Sequence, residues 1–173
     1  MGKLGFIKIL VIAGEAGRVT RRYPFKPETL VSEDFRGRIE FDETKCIGCG
    51  ACVNACPPNA LELVDKGDGT LLLKYFIGRC IFCWRCIDVC PTGAITGTRD
   101  FELATNDVSD LYEVVVHERA ECSECGGKYS TIRQKEYVVE AVPITESYID
   151  KCPDCRKNKL LRALERRRGG VYE

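Results

Sequence analysis

Residues 46–64 read CIGCGACVNACPPNALELV, and residues 80–98 read CIFCWRCIDVCPTGAITGT. The second stretch repeats the first at an offset of 34 residues, placing Cys46 on Cys80, Ile47 on Ile81, Pro57 on Pro91 and Ala60 on Ala94. Each half has the spacing C-x2-C-x2-C-x3-C-P. Spacings of two residues let neighbouring thiolates converge on one metal centre from a tight loop. The chain has 12 cysteines in 173 residues, and all of them fall into such clusters: Cys46, Cys49, Cys52, Cys56; Cys80, Cys83, Cys86, Cys90; Cys122, Cys125; Cys152, Cys155. A disulfide framework would show irregular spacings and usually a signal peptide. The cysteines are therefore read as metal ligands in a reducing compartment.

The doubled run resembles the bacterial-type ferredoxins that hold two [4Fe–4S] clusters. In that fold the first three cysteines of a run wrap one cubane, and the fourth lies beyond a short helical turn and reaches the other cluster. The resemblance implies Cys46, Cys49, Cys52 and Cys90 as the ligands of cluster 1, and Cys56, Cys80, Cys83 and Cys86 as those of cluster 2. The flanks predict an α+β arrangement. Short strands are expected at Ile39–Phe41, Ala60–Val64, Thr70–Phe76 and Ala94–Thr98, with a turn over residues 65–69 and short helices near Ala51–Ala55 and Arg85–Val89. Pro57 and Pro91 end the helical turns. Ile47, Ile81, Val53 and Val89 are expected to shield the clusters, and Phe82 and Trp84 to pack. Every expected iron has a cysteine, which favours electron transfer over substrate binding. No nucleotide loop, flavin fingerprint or Ser/His/Asp arrangement occurs, and no catalytic residue is assigned. His117, the only histidine, lies in the strand-like run Tyr112–Glu118 and is expected to be structural.

A second metal site follows. Cys122 and Cys125, then Cys152 and Cys155, form a C-x2-C…C-x2-C set with 26 residues between the knuckles. Such knuckles place four thiolates tetrahedrally around one ion, as in a zinc ribbon or a rubredoxin-like iron site. Zinc is preferred and mononuclear iron stays open. Gly126 and Gly127 are expected to supply positive backbone angles, and Tyr137–Val142 is expected to be a strand joining the knuckles.

Lys and Arg number 26, matching 26 Asp and Glu, so the chain is not a uniformly basic nucleic-acid binder. The charge is segregated: residues 1–38 balance to +4, residues 39–155 to −9 and residues 156–173 to +5. A hydrophobic fraction of 45% excludes wholesale disorder. No apolar run is long enough to span a bilayer. Leu4, Ile7, Leu10, Val11 and Gly14 predict an amphipathic helix for docking. Leu160, Leu161 and Leu164 predict a second amphipathic helix in the basic tail. Lys8 interrupts the N-terminal apolar stretch, which argues against a signal peptide. One Gln, four Asn and one Met suit a thermophilic source.

The N-terminal helix, Arg21-Arg22-Tyr23-Pro24, Phe35-Arg36-Gly37-Arg38-Ile39 and the doubled run together resemble the two-cluster subunit of respiratory complex I and its hydrogenase relatives. The appended four cysteines, with Cys46-Ile47-Gly48-Cys49 and Gly78-Arg79-Cys80-Ile81-Phe82-Cys83, resemble the formate hydrogenlyase branch, over roughly residues 4–160. The resemblance implies an electron-transfer subunit of a membrane-bound group 4 [NiFe] hydrogenase in an anaerobe, on the cytoplasmic face of the membrane. Its implied partners are the hydrogenase small and large subunits, membrane subunits, and a formate dehydrogenase or ferredoxin donor, with no nucleic acid. A complex I-type NADH/ferredoxin:quinone oxidoreductase subunit and a stand-alone ferredoxin are the alternatives. The expected organisation is a docking segment over 1–38, a ferredoxin domain over 39–100, a four-cysteine ribbon over 101–156 and a basic tail over 157–173.

Overall fold

The computed structural model describes residues 3–17 and 31–169. The Arg21–Pro24 motif and the last four residues lie outside the described residues. The chain divides at Phe35/Arg36 into two compact units.

The first unit contains helix α1, Lys3–Ala16. The helix forms where expected, but its apolar residues are not gathered on one stripe. At 100° per residue, Ile7, Ile9, Leu10, Val11 and Ile12 surround the axis, and Lys8 and Glu15 leave only a narrow charged strip. All five apolar side chains are more than half exposed. Among the described residues no helix is long and apolar enough to cross a membrane.

The second unit is a mixed α+β structure. Its elements are β1 (Ile39–Phe41), α2 (Ala51–Ala55), β2 (Leu61–Asp65), β3 (Thr70–Phe76), α3 (Arg85–Asp88), β4 (Ile95–Gly97), β5 (Tyr112–Glu121), β6 (Lys128–Thr131), α4 (Ile132–Ala141), α5 (Glu146–Ile149) and α6 (Pro153–Gly169). β1 pairs antiparallel with β4, Glu40 opposite Thr96. The larger sheet is antiparallel in the order β2-β3-β5-β6. The β2–β3 turn contains Asp65, whose carboxylate accepts the Gly67 N–H at 3.0 Å, with Gly67 and Gly69 at positive φ.

Period-two alternation sorts the inner face of that sheet. Leu61 and Leu63 of β2 oppose Tyr75 and Leu73 of β3, which in turn oppose Glu113 and Val115 of β5; Leu71 opposes His117. Leu61, Leu73, Tyr75 and Val115 join Ile39, Ala60, Ala94, Ile95 and the buried cysteines Cys46, Cys52 and Cys86 in one core. Because β5 pairs with β3 from Thr70/Glu118 to Phe76/Tyr112, the sheet runs unbroken from the doubled cysteine run into the segment bearing the second site.

One expected strand is a helix. Residues 137–142 belong mostly to α4, although Val138 and Val139 read locally as strand. The Thr131 hydroxyl caps the helix by accepting the Gln134 N–H at 3.1 Å, and the T-x-x-Q spacing is half of a capping box. Tertiary packing of the capped helix overrides two β-branched residues. α6 begins at Pro153, a residue whose fixed φ and missing N–H suit the first helical turn, and it leaves Leu160, Leu161 and Leu164 exposed.

Candidate metal centres

The two cysteine loops share one backbone pattern with different side chains. In the first loop Gly48 and Gly50 take positive φ (66° and 75°). At the repeat-equivalent positions Phe82 and Trp84 take φ 53° and 62°. The exchange reverses after the fourth cysteine, where Asn59 (φ 52°) corresponds to Gly93 (φ 63°). Left-handed residues turn successive backbone N–H groups inward and make a concavity suited to anions. The repeat conserves torsion rather than glycine, and aligning the halves is the sequence signal that would have found it.

Cys46, Cys49 and Cys52 from the first loop and Cys90 from the second line one apolar cavity, with Leu63, Leu73 and Ile95 among its walls. Burial first, then the neighbouring Cys46 and Cys49 thiols, push the Cys52 thiol up to about 12. Burial also raises Cys46. At Cys90 burial acts the same way but is outweighed by hydrogen bonds from the Thr92 hydroxyl and from the backbone at Thr92 and Ala94, and the net shift is downward. On the other side, burial and then the Cys80 thiol, with Cys56 adding a smaller share, raise Cys86 to about 11. Cys83 lies on the second loop, where the Arg36 guanidinium donates to its carbonyl at 3.1 Å. Backbone N–H groups already aim at sulfur at equivalent places: Ala60 N to Cys56 Sγ at 3.2 Å and Ala94 N to Cys90 Sγ at 3.3 Å. Four thiols converging on an apolar cavity with preset N–H···S donors fit an all-thiolate iron–sulfur centre.

Shielding is unequal. Ile47 is half-buried, but Ile81 is 60% exposed, contrary to expectation. The difference lies in β5, β6 and α4, which close over the first loop. Thr131 donates to the Ile47 carbonyl, and Arg133 donates to the Glu43 carbonyl and to that of Cys46. His117, 3% exposed, brings Nε2 to 3.4 Å from Cys46 Sγ. Alternation along β5 places Glu113, Val115 and His117 on the inner face, so this histidine could have been found from its strand. Trp84 packs as expected, donating from Nε1 to the Gly37 carbonyl at 3.0 Å.

At the second site the four sulfurs of Cys122, Cys125, Cys152 and Cys155 lie within 4.8 Å of one another. The first knuckle closes the β5–β6 connection: Cys122 N donates to Gly127 O and Gly126 N to Cys122 O, each at 2.9 Å. Only Gly126 of the two glycines takes positive φ, at 69°. The second knuckle opens α6. Cys152 N donates to Cys122 Sγ at 3.2 Å and heads the influences that hold the Cys122 thiol down to about 6. Ser123 N bonds Asp150 O at 3.0 Å, and Lys151 pairs with Glu124, tying the knuckles together. Four converging thiols fit a closed site for a tetrahedral ion.

Residues 45–94 match the family described as a 4Fe–4S dicluster domain. The chain is 37% identical over 166 residues to formate hydrogenlyase subunit 6 of Escherichia coli, covering 90% of this chain and 89% of the relative. The chain belongs to the iron–sulfur subunit family of formate hydrogenlyase and complex I. As a family member it is a [4Fe–4S] electron-transfer subunit. It is also 48% identical over 110 residues to NAD(P)H-quinone oxidoreductase subunit I of a Synechococcus strain, over 58% of this chain and about half (51%) of that relative's length. A chain in the solved structure of the membrane-bound sulfane sulfur reductase, an archaeal respiratory membrane complex, matches at TM-score 0.44 and 31% identity. That match covers 58% of this chain and 56% of that one.

Proposed function

We propose that this chain relays electrons through two [4Fe–4S] clusters inside a membrane-bound, hydrogen-evolving [NiFe] hydrogenase of the formate hydrogenlyase type. Cys46, Cys49, Cys52 and Cys90 hold cluster 1, and Cys56, Cys80, Cys83 and Cys86 hold cluster 2. Bound clusters supply one-electron transfer; the chain supplies complete cysteine ligation, an apolar wall and N–H donors to sulfur. Cys122, Cys125, Cys152 and Cys155 hold one zinc ion in a ribbon-like extension, a redox-silent staple at the end of β5 and the start of α6. The apolar circumference of α1 docks on a membrane subunit of the complex, because a helix apolar all round needs covering and this one is too short to span a bilayer.

The observation that carries this reading is the 37% identity to formate hydrogenlyase subunit 6 over nine-tenths of both chains. An aligned stretch of that length takes in the four-cysteine extension as well as the doubled run. The test is purification of the tagged chain from native membranes without oxygen. Co-purification of a [NiFe] large subunit with hydrogen evolution supports the proposal. Recovery with quinone-linked subunits and no hydrogen evolution assigns the chain to the complex I branch. A lone soluble chain overturns both.

A further inference from the structure

The cover over the first loop does more than exclude water. One of its side chains reaches the sulfur of a cluster cysteine: His117, whose Nε2 lies 3.4 Å from Cys46 Sγ. A metal-bound thiolate has no proton to give, so the ring nitrogen facing it is the donor, and this sets the Nε2–H tautomer. Leu71 opposes His117 in the sheet, and its ring lies against Gly48 next to the Thr131 methyl. The repeat supplies an internal comparison. The equivalent of Cys46 is Cys80, whose sulfur accepts the Phe82 N–H at 3.4 Å and has the buried Tyr75 hydroxyl beside it rather than an imidazole.

We propose that His117 is a positioning residue for electron transfer: its Nε2–H donates to Cys46 Sγ and makes the centre held by Cys46, Cys49, Cys52 and Cys90 easier to reduce than that centre is without this donor. The physical basis is that an N–H donor to a ligand sulfur stabilises the extra negative charge of the reduced state, one of the levers that set such potentials. His117 thereby biases the shared electron toward cluster 1. The inference rests on the ligand assignment proposed above.

Because the chain has a single histidine, labelling it with 15N-histidine marks one residue. Pulsed EPR of the partly reduced, cluster-loaded full-length chain should show a 15N coupling on one cluster signal. Redox titration of that signal in His117→Leu should shift its reduction equilibrium on the order of tenfold toward the oxidised form, about 59 mV for one electron. His117→Gln, which keeps an N–H donor, should recover part of the shift, and the unlabelled signal should hold its midpoint. A wild-type protein with two clusters and no 15N coupling overturns the inference without mutation. An unmoved midpoint in His117→Leu overturns it, as does an equal shift of both signals. Failure of the wild-type chain to hold two [4Fe–4S] clusters overturns the ligand assignment itself.

Discussion

Gly48→Ala should cost far more than Gly93→Ala, although both glycines sit in the left-handed region at φ 66° and 63°. An L-residue in that conformation costs about 1–2 kcal/mol at either position. At Gly93 nothing lies within 4 Å of an added Cβ, so the backbone term is the whole effect. At Gly48 the new methyl would stand 2.8 Å from Thr131 Cγ2 and 2.9 Å from His117 Cδ2, two side chains that are 1% and 3% exposed. Neither can swing away, and overpacking of that kind adds about 1–3 kcal/mol. The repeat shows which contribution matters: Phe82 occupies the position equivalent to Gly48 at φ 53°, so the loop itself tolerates a side chain. The extra cost at Gly48 comes from the extension lying on it. Thermal unfolding of the two cluster-loaded variants without oxygen should separate them by about 2–12 °C, taking roughly 2–4 °C per kcal/mol for a chain of this size. Equal melting temperatures would refute the claim that β5, β6 and α4 close on this loop.

Thr131→Val removes both the α4 cap and the donor to Ile47 O, and should destabilise by about 1–2 kcal/mol in thermal unfolding. Trp84→Phe keeps most of the packing but loses the bond to Gly37 O, about 0.5–1.5 kcal/mol, and the indole face beneath Arg36. Gly97→Ala should be worse than Trp84→Phe in the same assay, because its Cβ would lie 2.5 Å from Trp84 Cζ2. At the four-cysteine site the Cys122 thiol is held down to about 6 chiefly by the Cys152 N–H, whereas Cys125 and Cys155 are pushed up. A depressed thiol pKa leaves thiolate present above it and lost below it. Uptake of added zinc, used as the probe ion, should therefore accelerate as pH rises through about 6, and Cys122→Ser should move that onset upward and lower the amount of zinc bound, read with a chromogenic zinc indicator.

Much of the second unit is legible in local sequence. β1, β3 and α2 fall where the alternation and the cysteine spacing put them, because tight loops and short strands are determined by neighbours in the chain. Leu73 opposite Val115 is a long-range pairing that no local pattern specifies, so the continuity of the sheet from the doubled run into β5 emerges only in three dimensions. The Thr131-x-x-Gln134 spacing carries a cap signal for α4, while Val138 and Val139 read locally as strand. His117 was visible as a strand residue, yet its role depends on a loop 71 residues away in sequence. The left-handed Phe82 and Trp84 break the glycine rule, and only their alignment with Gly48 and Gly50 makes them intelligible.

That exchange of glycine for aromatic has a consequence for how the molecule chooses between its halves. A pseudo-twofold core offers any appended segment two equivalent landing places, and degeneracy of that kind invites mixed conformers. Here one landing place is bare backbone at Gly48, flat enough for His117 and Thr131 to settle directly upon it. The other carries the bulk of Phe82 and Trp84, the latter already packed against Gly97 and bonded to Gly37. The duplicated core is thus handed an address: the extension can land on one side only, and two loops that began as copies acquire different neighbours from side-chain volume alone.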